Sequence, residues 1–259
     1  MNTLTSRDGT TIAYDRQGQG PALILVDGAL TVHSSGSGEL ARLLSARFTV
    51  YGYDRRGRGG SGDTLPYAVD REIDDIEALI DRGGPAFLYG HSSGGPLAMR
   101  AAVRLGRKVT GIAMYEPPYN NDPDAQESWS GYLGQLRQAL AEGRHGDAVA
   151  LFMRFVGMPA EQLAGLRRAP SWPAMEAVAP TLAYDHAAIM GESWSVPAEL
   201  AARVPVPALV MAGDAGLPFM ASTAKALSQA MPQGRLRILA GQAHAVDPAA
   251  LASALAEFF

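Results

Sequence analysis

The sequence of 259 residues contains no cysteine, which excludes disulfide bonds, thiolate metal sites and cysteine nucleophiles together. It also lacks an excess of charge of either sign. The 22 Lys and Arg residues stand against 26 Asp and Glu residues, a formal net charge of -4. Such a balance creates no positive surface for nucleic acid or an anionic membrane. We therefore expect neither of these partners and a small molecule instead.

Long apolar runs are missing as well. No segment has the length of a membrane-spanning helix, and residues 1–9 show neither the basic start nor the apolar core of a signal peptide. We therefore expect a cytoplasmic protein, either a monomer or a homodimer. With 47% hydrophobic and 19% charged residues, the chain can bury a full core and form one large domain.

Short apolar runs alternate with segments in which apolar residues recur at helical spacing. The predicted strands are residues 11–14, 22–26, 48–53, 86–89, 109–115, 208–212 and 235–239, with residues 3–6 as a possible antiparallel edge strand. The predicted helices between them are residues 40–46, 69–81, 96–105, 222–231 and 248–259. This alternation predicts an α/β fold with a mostly parallel sheet covered by helices on both faces.

The alternation stops after Glu116-Pro117-Pro118 and resumes only near residue 205. The stretch between is too long for a plain loop, and it is rich in helical spacing interrupted by proline. We interpret residues 119–197 as a helical lid inserted into a core domain made of residues 1–118 and 198–259. The alternative is that these helices extend the main core.

Residues 86–98 contain an apolar strand, a Gly-x-Ser-x-Gly turn and the start of a helix with nothing between them. Gly90 and Gly94 flank Ser92 and leave no Cβ to clash where strand and helix nearly meet. We call the turn of residues 90–94 the nucleophile elbow. A serine at such a turn is presented above the sheet edge, so Ser92 is the candidate nucleophile. The alternative is a chance match in a surface loop.

The order of these elements, together with three motifs, resembles the α/β-hydrolase superfamily over almost the whole chain. The motifs are residues 53–62 after the fourth strand, Gly90-His91-Ser92-Ser93-Gly94 after the fifth, and Gly241-Gln242-Ala243-His244 after the last. The resemblance implies an eight-stranded sheet, a lid after the sixth strand, and a nucleophile, acid and histidine in that chain order. It implies that residues 54–62 form a braced loop beside the oxyanion loop, which is the loop that follows the third strand.

The resemblance assigns His244 the role of the base, because this residue lies between the final strand and the terminal helix. Its imidazole would take the Ser92 proton and return it to the leaving group. For the remaining histidines we expect structural or solvated roles, because they occupy predicted loop, lid or elbow positions; these are His33, His91, His145 and His186.

Two carboxylates are candidates for the acid that orients His244. Relatives usually place this acid after the seventh strand, where the chain reads Gly213-Asp214-Ala215-Gly216, with glycine at the expected position. Glu116 stands at the end of the sixth strand, where some haloalkane dehalogenases that resemble this chain carry their acid. A glutamate closing an apolar strand is costly to bury without a partner, which favours Glu116. Asp214 remains the alternative, and a salt bridge to a lid arginine is another use for Glu116.

Stabilising an oxyanion requires two backbone N–H groups aimed at one point. By resemblance the first belongs to Ser93 and the second to Ala29, in the loop Asp27-Gly28-Ala29 after the third strand. Relatives usually carry His-Gly there, so Asp27 beside Gly28 is a departure. We expect Asp27 to brace its own turn. The alternative is that Asp27 and Gly28 contact substrate, with Asp27 as a proton acceptor that directs the chemistry away from simple hydrolysis.

Together these residues predict a serine hydrolase without cofactor or metal, acting on a carboxylic ester, lactone or thioester of a small, largely apolar compound. Two alternatives remain open. The first is a non-hydrolytic enzyme of the same fold, such as an acyltransferase, lyase or biosynthetic cyclase. The second is a ligand-binding protein that has lost catalysis.

Overall fold

A computed structural model describes residues 1–33 and 36–259. Eight strands form one sheet: β1 Asn2–Thr5, β2 Thr11–Gln17, β3 Ala22–Val26, β4 Thr49–Tyr53, β5 Ala86–His91, β6 Val109–Tyr115, β7 Ala208–Gly213 and β8 Gly234–Leu239. Their spatial order is β1-β2-β4-β3-β5-β6-β7-β8. β2 pairs antiparallel with β1 and β4, and all other pairs are parallel. The predicted α/β fold with a mostly parallel sheet is confirmed, including the antiparallel edge strand.

Four helices of the sheet domain connect successive parallel strands, as crossover connections require, and a fifth, α10, follows the last strand. They are α1 Gly38–Leu44, α2 Val69–Gly83, α3 Gly94–Leu105, α9 Pro218–Ala230 and α10 Pro248–Phe258. Between β6 and β7 lie α4 Pro123–Ala141, α5 His145–Phe155, α6 Ala160–Leu166, α7 Trp172–Val178, a π-helix Tyr184–Met190 and the short α8 Ala198–Ala201. We call residues 119–197 the helical insertion. Its status as a separate lid stays a prediction.

Alternating side chains of the parallel strands separate two apolar clusters on opposite faces of the sheet. One face, represented by Ile24 and Leu88, packs with helices α2, α3 and α9. The other face, represented by Leu25 and Tyr89, packs with α1 and α10. Because both faces are covered, the inner strands β3, β4 and β7 are entirely buried, whereas the edge strands β1 and β8 are partly exposed. This is the reason that the sequence shows continuous apolar runs and not a polar alternation.

The register of the sheet places the ends of neighbouring strands side by side. His91 at the end of β5 pairs with Tyr115 at the end of β6, so Ser92 and Glu116 leave their strands at the same level. His244 follows β8 at the same edge of the sheet. The carboxyl ends of parallel strands are where open α/β sheets form their binding crevice. The fold thus collects these three residues at one edge.

Of the described helices, none combines the length and the apolar character that crossing a bilayer requires.

Candidate active site

Ser92 lies in a strained turn with φ of 52°, a left-handed conformation that L side chains rarely adopt. The surrounding contacts hold it there. A Cβ at Gly90 would meet the Gly94 oxygen at 2.4 Å, and a Cβ at Gly94 would meet the Val26 oxygen at 2.0 Å. The Ser92 N–H donates to the carbonyl of Tyr115 at 3.0 Å. Strand and helix can approach this closely only because both positions are glycine.

Glu116 is completely buried and also has a positive φ, 47°. Its Oε2 accepts a hydrogen bond from Nδ1 of His244 at 2.7 Å, and its Oε1 accepts one from the Gly213 N–H at 3.1 Å. A carboxylate can only accept here, so Nδ1 carries the proton and Nε2 is left with a free lone pair. The backbone turn at residue 116 therefore aims a fixed acceptor at the imidazole.

Asp214 occupies a different place. Its side chain is exposed, and Oδ1 accepts a hydrogen bond from the Gly241 N–H at 2.6 Å. This contact braces the turn that follows β8. Of the two carboxylates considered from the sequence, the structure brings Glu116, and not Asp214, into contact with His244.

The loop after β3 lies directly against the serine. A Cβ at Gly28 would meet Cβ of Ser92 at 3.0 Å and its Oγ at 3.6 Å, so a side chain there would crowd the serine. Gly28, Ala29, Ser92 and Ser93 all line one cavity. The loop after β3 and the turn at Ser92 therefore face the same cavity.

A buried ion-pair network stands behind that loop. Arg58 donates to the Gly28 carbonyl at 2.7 Å, to Oδ2 of Asp185 at 2.6 Å and to Thr181 at 3.1 Å. Asp185 lies in the π-helix of the insertion, and its Oδ1 accepts from the Ser93 hydroxyl at 2.8 Å and from Arg55 at 2.7 Å. Its paired arginines outweigh the effect of burial and lower the pKa of Asp185 to about 2. The carboxylate is therefore ionised.

The same arginines place residues 54–62 beside the loop after β3, where the sequence predicted them. Arg55 donates to the Asp27 carbonyl at 3.2 Å and pairs with Glu72 through two hydrogen bonds of 2.8 Å. Asp185 was not predicted from the sequence, and Arg58 was predicted only as part of the loop 54–62. An isolated aspartate in a helical segment carries no signal that would have identified it.

Asp27 does not line the cavity that contains Ser92 and His244, which we call the catalytic cavity. Its side chain is buried, accepts a hydrogen bond from Ser37 Oγ at 3.0 Å and borders a second cavity of about 310 Å³. Burial raises the pKa of its carboxyl to about 7, although Ser37, Arg58 and Arg55 act in the opposite direction. The position of this side chain therefore does not support a contact with substrate. Its hydrogen bond with Ser37 supports the expectation that it braces the loop.

The catalytic cavity has a volume of about 400 Å³ and lies between the strand ends and the helical insertion. Its walls are mostly apolar and rich in aromatic rings, with contributions from Trp129, Phe152, Met153, Phe155, Val156, Met190, Trp194, Leu217, Phe219 and Met220. Val156 and Leu217 are about half exposed, so the cavity opens to solvent past apolar side chains. Ser92 and His244 lie in its floor.

Two histidines expected to be structural or solvated also line this cavity, namely His91 and His186. His91 donates from Nε2 to the His244 carbonyl at 3.0 Å, and the two rings are 4.9 Å apart. Burial lowers the pKa of His91 to about 4, so this ring is neutral beside His244 at pH 7. His33 and His145 lie outside the cavity, in agreement with the expectation.

Among residues 1–33 and 36–259, no three His, Asp or Glu side chains are grouped as metal ligands.

The fold and the serine–histidine–glutamate arrangement define an α/β-type hydrolase. A model of the alpha/beta hydrolase family matches residues 29–254. The solved structure of an alpha/beta hydrolase from Sphaerobacter thermophilus DSM 20745 is 46% identical, covers 100% of both chains and superposes with a TM-score of 0.88. The chain belongs to the alpha/beta hydrolase family.

More distant relatives carry more specific names. N-formylmaleamate deformylase from Pseudomonas putida is 34% identical over 143 residues, 52% of each chain, so the match spans about half the length of that curated relative. The enol-lactonase from Burkholderia xenovorans LB400 is 22% identical, covers 99% of both chains and has a TM-score of 0.72. At this identity the second likeness shows the fold alone.

Proposed function

We propose that the protein is a serine hydrolase that cleaves a carboxylic ester, lactone or thioester of a small, largely apolar compound through an acyl-enzyme on Ser92. One observation carries the proposal. His244 is held through Nδ1 by the buried Glu116 at 2.7 Å and shares a cavity of about 400 Å³ with Ser92 at a strained turn.

The hydrogen bond to Glu116 keeps the proton of His244 on Nδ1, so Nε2 acts as the base toward Ser92. When Oγ attacks the substrate carbonyl, Nε2 takes its proton and then passes it to the leaving group. The carboxylate of Glu116 stabilises the imidazolium that forms between these two transfers. Water then attacks the acyl-enzyme with the same base, which releases the acid and restores Ser92.

The N–H groups of Ser93 and Ala29 hold the oxyanion in this mechanism. Ser93 immediately precedes helix α3, where the helix dipole is positive. The Ala29 N–H belongs to the same peptide unit as the Gly28 carbonyl, which accepts the hydrogen bond from Arg58. Because a peptide is planar, fixing the carbonyl on one side fixes the direction of the N–H on the other.

The apolar walls of the cavity favour a substrate that buries apolar surface beside the reacting carbonyl. The name of the curated relative supports acyl-bond hydrolysis more broadly, because a deformylase removes a formyl group. For this chain the absence of a charged side chain from the cavity wall, among the residues described, favours an uncharged ester, lactone or thioester.

The test combines active-site labelling with turnover. The protein is incubated with a fluorophosphonate, the adduct is located by mass spectrometry, and hydrolysis of an ester, lactone and thioester panel is measured beside a Ser92→Ala control. We expect the adduct on Ser92, turnover of at least one uncharged apolar ester or lactone, and neither in the control. Labelling without any turnover would indicate the transferase, lyase or cyclase alternative, and no labelling would indicate a binding protein.

A further inference from the structure

His186 introduces one polar group into an otherwise aromatic part of the catalytic cavity. It lies in the π-helix of the insertion and packs against the rings of Trp129 and Phe152, with centroids 5.4 Å and 4.9 Å away. Phe152, Trp129 and His186 all line the cavity. A titratable ring among aromatic side chains is costly unless its polar atoms are satisfied.

Only one ring nitrogen of His186 is satisfied within the described part of the protein. Nδ1 lies 2.8 Å from the hydroxyl of Tyr132, which is buried behind the histidine and does not line the cavity. The other nitrogen, Nε2, is left for whatever occupies the cavity. The catalytic mechanism makes no use of this side chain.

The contact with Tyr132 also sets the tautomer. Among the described residues, Nδ1 of His186 is the only hydrogen-bond partner of the buried Tyr132 hydroxyl. Because the phenol proton would otherwise be unpaired, we assign the hydroxyl as the donor to Nδ1, which leaves the ring proton on Nε2. Burial lowers the pKa of His186 to about 4, despite the neighbouring Asp185 carboxylate, so the ring is neutral at pH 7. The cavity wall therefore presents a neutral N–H donor.

We propose that His186 is a specificity-determining residue whose Nε2–H binds a hydrogen-bond acceptor on the substrate. This rests on the proposed function and narrows the substrate to an aromatic or similarly flat apolar compound that carries a carbonyl, ether or related oxygen remote from the scissile bond. A donor in an apolar pocket discriminates between ligands because a ligand without an acceptor leaves the donor unpaired, which costs binding free energy. Tyr132 is a positioning residue that acts through His186.

The experiment compares substrates that differ only in the acceptor. Ethyl 3-arylpropanoates and 2-arylethyl acetates are prepared with either an acetyl or an isopropyl group on the ring, at the meta or para position. The two groups have nearly the same shape, and the methylene spacer separates them electronically from the ester. The measured quantity is the ratio of kcat/KM for the acetyl and isopropyl members of each pair.

We expect the wild-type protein to prefer the acetyl member of at least one pair by about tenfold or more. His186→Phe should bring that ratio close to one, His186→Gln should retain part of it through its amide N–H, and Tyr132→Phe should reduce it. Met190→Leu, an apolar change in the same cavity wall, serves as the control and should keep the wild-type ratio. Because each ratio is taken within one variant, losses in folding or chemistry cancel.

Binding provides a readout that does not depend on turnover. Trp129 and Trp194 line the cavity, so ligand entry into Ser92→Ala protein can be followed by tryptophan fluorescence with the same ester pairs. The same preference should appear in Kd and disappear in Ser92→Ala/His186→Phe. If esters are hydrolysed but the ratio is near one in wild type or unchanged in His186→Phe, this inference is overturned while the hydrolase proposal stands. If none of these esters is hydrolysed, the labelling and the ester, lactone and thioester panel decide the hydrolase proposal, and the Kd ratio alone decides this inference.

Discussion

Gly216 leaves the space that the Glu116 carboxylate occupies: a Cβ built on Gly216 would lie 3.2 Å from Oε1 of Glu116. Gly216 is the position after the seventh strand where relatives usually place the acid. An acid at residue 216 and an acid at residue 116 would therefore fill the same volume beside His244. In this chain the carboxylate reaches that volume from β6, and a side chain at residue 216 would compete with it.

The first prediction separates the two carboxylates. Glu116→Gln should reduce kcat by about a thousandfold or more, because an amide donor facing Nδ1 favours the wrong tautomer of His244 and cannot stabilise the imidazolium. Asp214→Asn should reduce it by no more than about threefold, since its oxygen only accepts from Gly241. Steady-state kinetics on a hydrolysed ester give both values. A larger loss for Asp214→Asn would contradict the assignment of Glu116.

The second prediction moves the carboxylate from residue 116 to residue 216. Glu116→Gly should abolish most activity while relieving the positive φ of residue 116. Adding Gly216→Asp should restore about tenfold or more of the lost kcat, because the new carboxylate enters the vacated volume. Gly216→Asp alone should impair the enzyme, since two carboxylates would then share one site. Equal activity of the single Glu116→Gly and the double variant would refute this geometric equivalence.

The third prediction concerns the arginine behind the oxyanion loop. Arg58→Lys should lower kcat by about ten- to a hundredfold with little change in KM, because one ammonium cannot hold Gly28, Asp185 and Thr181 together. Arg56→Lys is the matched control, because Arg56 is equally buried but pairs with Asp75 and Asp8 and does not contact the loop. Both should lower the melting temperature, whereas only the first should lower kcat of the folded protein. Equal losses of kcat would assign Arg58 a purely structural role.

The fourth prediction tests the close approach at the elbow. Gly94→Ala should destabilise the fold by several kcal/mol and abolish activity, because its Cβ would lie 2.0 Å from the Val26 carbonyl oxygen, which is backbone and cannot move aside. Gly131→Ala in helix α4, where nothing lies within 4 Å of the added Cβ, should instead be neutral or stabilising by up to about 1 kcal/mol. Urea unfolding of both variants measures the difference. Similar midpoints would argue against the close packing described.

The fifth prediction concerns Asp27 and pH. The pKa of Asp27 is raised from 3.8 to about 7 in the folded protein, so over this interval the unfolded chain loses a proton that the folded chain retains. Its contribution to stability is therefore present below pH 4 and lost as pH rises to about 7, at about 1.4 kcal/mol per pKa unit at most. Asp27→Asn keeps an oxygen for Ser37 and should remove this slope. Unfolding free energies of the two proteins should therefore diverge between about pH 4 and pH 7 and stay apart above pH 7, where the variant is the more stable. Parallel pH profiles would show that Asp27 is not protonated in the fold.

Some parts of this protein follow from local sequence. The elbow around Ser92 is contiguous in the chain, and its sterics depend on glycine at fixed positions on either side, so the motif predicts the geometry. The strands were predictable because a sheet buried on both faces demands continuous apolar runs. The position of His244 after the last strand follows from the order of the elements.

Other parts depend on residues far apart in the chain. Glu116 and His244 are separated by 128 positions. The apolar strand before Glu116 favoured this residue over Asp214, but the contact with His244 depends on the backbone turn after β6. His186 and Asp185 acquire their environments only when the helical insertion packs over the strand ends. Sequence alone determined which residues could attack and where they stand along the chain, because turn sterics and apolar periodicity are local. Only the tertiary structure decided which carboxylate meets the imidazole and which nitrogen faces the cavity, because burial and hydrogen bonding are set by packing between distant segments.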